Sequence, residues 1–98
     1  MILEHARLSV RKGQEDDFLA ALHDAKELIA RTDGFLGMEV SRCMEDPSAF
    51  LLLVEWETLE AHTVNFRQGP DYEPWRQALH HFYDPMPTVE HFEVVEVA

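Results

Sequence analysis

Five consecutive apolar residues, Phe50-Leu51-Leu52-Leu53-Val54, with Trp56 just beyond, restrict what this chain can fold into more than any other feature. The run is apolar on both faces and bounded by turn residues, which fits a strand covered on either side. Ala49 to Glu57 is therefore expected at the centre of a sheet. A chain of 98 residues makes one domain, residues 1–98, with few elements to cover such a strand.

The remaining segments supply those elements. Ile2 to Val10 alternates, with Ile2, Glu4, Ala6, Leu8 and Val10 on one face and Leu3, His5, Arg7 and Ser9 on the other, so a first strand is expected there. Arg11-Lys12-Gly13 reads as a turn. From Gln14 the period becomes helical (Phe18, Leu22, Ala25, Leu28, Ile29), the first turn is acidic, and Gly34 stands where a C-terminal cap belongs. Phe35 to Met44 alternates again, with Leu36, Met38 and Val40 on one side and Phe35, Gly37 and Glu39 on the other. Glu45-Asp46-Pro47-Ser48 then turns it into the central strand. Thr58 can cap a helix from Leu59 to about Gln68 that Gly69-Pro70 ends. Asp71 can cap another through Phe82, and Thr88 to Val97 alternates as a last strand.

The order βαββα(α)β predicts an α+β, ferredoxin-like antiparallel sheet with helices on one face. The other face carries Leu3, Leu51, Leu53 and Val95, too apolar to leave to water. A two-fold homodimer that buries sheet against sheet is the expected solution.

Charge and cysteine usage exclude several function classes. Nineteen acidic against eight basic residues give a net charge of −11, which argues against nucleic acid or an anionic membrane as partner. Cys43 is the single cysteine, so an intrachain disulfide is excluded and a reducing, cytoplasmic setting is expected. No apolar stretch approaches the roughly 18 residues that would span a bilayer. The glycines occupy turn, cap or strand positions, with no phosphate-binding loop, and the serines lack the context of a nucleophile.

Six histidines raise the question of a metal. No helical pair has zinc-binding spacing, and His5 and His91, on strands expected to be neighbours, are the one pair that could meet; no metal site is assigned. Chemistry is expected instead around the broken helix. Phe66, Tyr72 and Trp75 have the spacing of sheet-packing residues and would form the wall of a substrate site. Asn65, Arg76 and His80 are the polar members and the candidate catalytic residues, although each also fits a solvated helix face. An apolar pocket with a few polar groups suits a small aromatic molecule.

Arg11-Lys12-Gly13, Asp33-Gly34-Phe35, Leu51 to Trp56, Thr58 with Glu60-Ala61, and Phe66 through Tyr72 to Trp75 together resemble the antibiotic biosynthesis monooxygenase (ABM) family of dimeric α+β barrel proteins. The resemblance covers nearly the whole chain. It implies a homodimer with a pocket between each sheet and its helices, and cofactor-independent oxygenation of a small quinol or polyphenol. In that chemistry Arg76 would stabilise a phenolate, His80 accept a proton and Asn65 hydrogen-bond the substrate. A non-catalytic ligand-binding dimer and an isomerase of a small phosphorylated sugar are the alternatives. The family's heme-degrading branch uses Asn, Trp and His where this chain has Ala6, Asn65 and Arg76, which argues against that activity.

Overall fold

The computed structural model describes residues 1–98. Four strands, β1 (Ile2–Ser9), β2 (Phe35–Arg42), β3 (Ala49–Trp56) and β4 (Glu90–Glu93), form one antiparallel sheet in the order β2-β3-β1-β4. Helices α1 (Glu15–Ala30) and α2 (Tyr72–Leu79), a π-helical segment (Ala61–Phe66) and a 3₁₀ turn (His80–Phe82) complete the chain. The fold is ferredoxin-like α+β, and the apolar run occupies an interior strand as its composition requires.

Pleat alternation decides what faces the helices. Ala6, Leu8 and Val10 from β1 and its extension, with Phe50, Leu52, Val54 and Trp56 from β3, form the buried face. Phe18, Ala25 and Ile29 of α1 and Trp75 and Leu79 of α2 close over it. Phe18 packs against Phe50, Phe82 and Tyr83 at ring-centroid distances of 5.2, 5.8 and 5.9 Å, which anchors α1 to β3 and to the segment that follows α2.

Four local expectations are corrected. In β2 the register shifts between Phe35 and Gly37, so Phe35 opposes Trp56 while Met38 opposes Val54; the bulge brings Phe35 onto the same core-facing side as Met38 and Val40. Gly34 does not cap α1, which ends at Ala30. It sits at φ +91° inside a turn closed by Phe35 N–H donating to the Thr32 carbonyl at 3.0 Å. Asp71 makes no side-chain cap; its carboxylate accepts from Arg31 Nε at 2.8 Å and ties α2 to α1. The last strand covers four residues rather than Thr88 to Val97. Glu93 already opposes Ile2, so β1 has almost run out and the chain beyond has no ladder to join.

The expected second helix is the π segment, in which Arg67 N–H donates to the His62 carbonyl at 3.0 Å. Thr58 does serve its N-terminus: the Ala61 N–H donates to Thr58 Oγ1 at 3.1 Å. Gly69 ends the segment at a close approach, since a Cβ there would stand 2.3 Å from the Asn65 carbonyl oxygen.

Candidate functional site

A cavity of about 190 Å³ lies between the inner face of the sheet and the helices. Its floor is Glu4, Ala6 and Leu8 of β1 with Leu52 of β3. Phe66, Tyr72 and Trp75 form the helix side, and His80, Tyr83, Met86 and Pro87 close one end. The aromatic walls brace one another edge to face, with Phe66 at 5.5 Å from Tyr72 and 5.8 Å from Trp75.

Phe66, Tyr72, Trp75 and His80 thus come together at the cavity. Asn65 and Arg76 do not line it. Asn65 is exposed and its Nδ2 donates to the Asp33 carbonyl at 3.1 Å, pinning the π segment to the turn after α1. Arg76, also exposed, is paired with Glu73 one helical turn earlier.

The polar centre of the cavity is formed by residues that spacing alone did not single out. Glu4 is nearly fully buried on the floor, and its Oε1 accepts from Trp56 Nε1–H at 3.0 Å. His62 Nε2 stands 3.3 Å from the same oxygen, and His62 Nδ1 is 2.7 Å from His91 Nε2. The His62 ring stacks on Trp56, with centroids 5.2 Å apart and planes 15° from parallel. β-sheet register explains the meeting: Glu4 opposes His91 directly across β1 and β4, so both side chains share the helix-facing side. The expected His5–His91 meeting does not occur. His5 opposes Glu90, points the other way, and packs on Phe92 at 5.5 Å. A signal for Glu4 was present in the sequence, as the lone carboxylate in an otherwise apolar alternation.

Burial governs ionisation here. It pushes His62 down to about 3, with the charge of Arg67 and repulsion from His91 adding to the effect, so His62 is neutral near pH 7. Burial raises Glu4, opposed by the Trp56 hydrogen bond and by Arg67. It also lowers His80, with Arg76 adding positive repulsion, and raises the Tyr83 hydroxyl, with Glu4 adding to the shift.

These shifts predict a pH effect on stability. Between about 3 and its ordinary value of 6.5, His62 binds a proton in the unfolded chain and not in the folded one. Its contribution is therefore present above 6.5 and lost as pH falls towards 3. Glu4 acts in the opposite sense: its contribution is present below its ordinary value of 4.5 and lost as pH rises through the raised folded value. Below 4.5 the His62 effect is no longer offset. The unfolding free energy of the wild type, measured by urea denaturation, should then fall more steeply with acid than that of His62→Gln, by at most about 1.4 kcal/mol per pH unit. Parallel curves would show that His62 titrates alike in both states.

The family model described as antibiotic biosynthesis monooxygenase matches residues 1–78. The uncharacterized protein YczJ of Bacillus subtilis is 45% identical over 95 residues, covering 97% of this chain and all of YczJ. A crystal structure from Bordetella bronchiseptica, provisionally described as an antibiotic biosynthesis monooxygenase, is 36% identical with a TM-score of 0.91 over 97% of both chains. SnoaB, a cofactor-independent oxygenase from Streptomyces nogalater, shares the fold at 19% identity, with a TM-score of 0.80 over 98% of this chain and 94% of that one.

Proposed function

This chain belongs to the antibiotic biosynthesis monooxygenase family, and on that premise we propose that it is a cofactor-independent monooxygenase of a small aromatic substrate of quinol or polyphenol type. The observation that carries the reading is the cavity itself: an aromatic-walled space with a neutral histidine and a buried carboxylate on its lining. Its volume of about 190 Å³ lies below the roughly 300–1,000 Å³ of sites for drug-sized ligands, which favours a compact ring system. The description of SnoaB as a cofactor-independent oxygenase on the same fold supports the reaction class.

In this reading Phe66, Tyr72 and Trp75 hold the ring, and His80 accepts the proton of a phenolic hydroxyl. Arg76 acts at one remove, because its charge helps to keep His80 unprotonated and so able to accept. Asn65 contributes by fixing the π segment. For an anthrone-type substrate, loss of a proton gives the aryloxide, which passes one electron to dioxygen. Superoxide and the substrate radical combine at the ring carbon, and the resulting hydroperoxide loses water to leave a carbonyl. One oxygen atom ends in the product and the other in water, with the substrate as the only reductant.

Oxygen uptake with quinols and anthrones tests this. His80→Ala is expected to lower kcat/KM about 100-fold, in the range for loss of a general base, while Arg76→Ala has a much smaller effect. Product formation indifferent to His80→Ala would remove that residue's role.

A second reading, a non-catalytic ligand-binding dimer, is favoured by the positions of Asn65 and Arg76 away from the cavity. Tight binding of aromatic ligands with no oxygen uptake would establish it. Only Arg67 among the basic residues with fixed charge lines the cavity, which gives a phosphorylated sugar little to hold it.

A homodimer is part of both readings. The outer face of the sheet exposes Leu51 and Phe92, and Val95 beyond β4 is 90% exposed. Burying such surface against a second copy accounts for it. Light scattering should give about twice the chain mass of 11.4 kDa. A mass of one chain would leave the apolar face unexplained. No helix is long and apolar enough to cross a membrane.

A further inference from the structure

Glu4 has one oxygen still to be accounted for. Oε1 takes both the Trp56 and His62 contacts, whereas Oε2 makes no hydrogen bond to the protein. No buried side-chain polar atom in the protein lacks a partner, so Oε2 is not sealed off. The space it opens on is the cavity that Glu4 lines. We propose that Glu4 is a second proton acceptor of this cavity, oriented by Trp56, His62 and His91 to receive a ligand hydroxyl at Oε2, and that the ligand is therefore an aromatic diol held at the sheet floor by Glu4 and at the closed end by His80.

The hydrogen bonds specify how the carboxylate is held. His62 is neutral and carries one ring proton. An ionised Glu4 can only accept, so that proton sits on His62 Nε2, directed at Glu4 Oε1, and His62 Nδ1 accepts from His91 Nε2–H. Trp56 Nε1–H donates to the same oxygen. Two donors on one oxygen fix the plane of the carboxylate and leave the other oxygen to the ligand. His62 and His91 are thus positioning residues, with both His62 nitrogens occupied. The charged or titratable groups around Glu4 are His62 of the π segment and Arg67 just after it, His91 of β4, and Tyr83 and His80 at the closed end. None supplies a second acceptor on the floor.

The inference rests on the cavity being the ligand site and not on oxygenase chemistry, so binding can test it separately. In Glu4→Gln the amide oxygen can keep the Trp56 and His62 contacts, which places an N–H donor where Oε2 stood. With 4-nitrophenolate as probe, at pH values where the probe is fully ionised, binding to the wild type must carry a proton onto Glu4. Affinity should then fall about tenfold per pH unit once Glu4 is ionised, and the same slope should remain in His80→Gln. Glu4→Gln should bind the probe with no such slope. Hydroquinone should bind the wild type about tenfold more tightly than phenol, the worth of one hydrogen bond to a charged acceptor, and Glu4→Gln should erase the difference. His91→Leu should move the pH at which the slope begins, and His91→Gln, which retains an N–H donor, should restore it.

A flat wild-type profile, a slope that survives Glu4→Gln, or no binding of any phenol overturns the proposal. An unmoved onset in His91→Leu removes His91 from it. A normal slope in a protein that consumes no oxygen leaves Glu4 in place and ends the oxygenase reading instead.

Discussion

Trp56→Ala is expected to bring the protein to the edge of unfolding. The side chain is fully buried, forms the end of the central strand, and packs on Phe35, His62 and Phe66 at once. Truncating a buried tryptophan costs about 3–5 kcal/mol, against a total stability of about 5–15 kcal/mol for a domain of this size. The loss has a second part, because Trp56 is also a donor to a buried carboxylate. Trp56→Phe separates the two contributions: it keeps most of the ring and deprives Glu4 of one hydrogen bond, at a cost of about 1–3 kcal/mol. Urea unfolding followed by circular dichroism measures both. A midpoint for Trp56→Ala close to that of Trp56→Phe would mean that packing at this position contributes little.

Gly34→Ala should be nearly as damaging, for reasons of backbone and space together. At φ +91° a residue with a Cβ is strained by about 1–2 kcal/mol. The added Cβ would also stand 2.5 Å from Ala61 Cβ, a contact that real atoms do not make. Overpacking of this kind costs about 1–3 kcal/mol. The clash is local to the site, since Ala61 immediately precedes His62 and the Gly34 carbonyl accepts from Glu57 N–H at 2.8 Å just past the end of β3. Gly34→Ala is thus expected to lower the urea midpoint and weaken binding of aromatic ligands in the same variant. Adding Ala61→Gly removes the clash and leaves the backbone strain, so the double variant should recover part of the loss. No recovery would place the whole effect in the backbone.

The strands and α1 were legible in the sequence because hydrophobic periodicity reports directly on which face is buried. Ile2 to Val10 and Phe50 to Val54 could hardly be read otherwise. The start of β2 was misread because the bulge between Phe35 and Gly37 changes the phase of an alternation that a linear reading assumes constant. The length of β4 depended on where its partner strand ends, a fact of pairing rather than of Thr88 to Val97 themselves. The site shows the same division. Phe66, Tyr72, Trp75 and His80 could be gathered from helical spacing, and they line one cavity. Asn65 and Arg76 share that spacing, but which side of a turn meets solvent depends on packing, and both meet solvent here. His62 came to Glu4 and His91 through a π turn and a strand register that link three distant segments, and no local pattern encodes such a meeting.

The brevity of β4 bears on how steady the cavity is over time. Four residues pairing with one end of β1 form the least secured ladder in the sheet, and they are the ladder that carries His91. Edge segments of this kind open far more often than the interior, without global unfolding. Each opening would withdraw His91 from His62 while Trp56 stays in place, so the carboxylate would lose the restraint on its neighbour's tautomer before it lost its indole donor. Amide hydrogen exchange should accordingly be fast across Glu90–Glu93 and slow across Phe50–Val54. The polar centre of the cavity is then anchored firmly at one end and intermittently at the other.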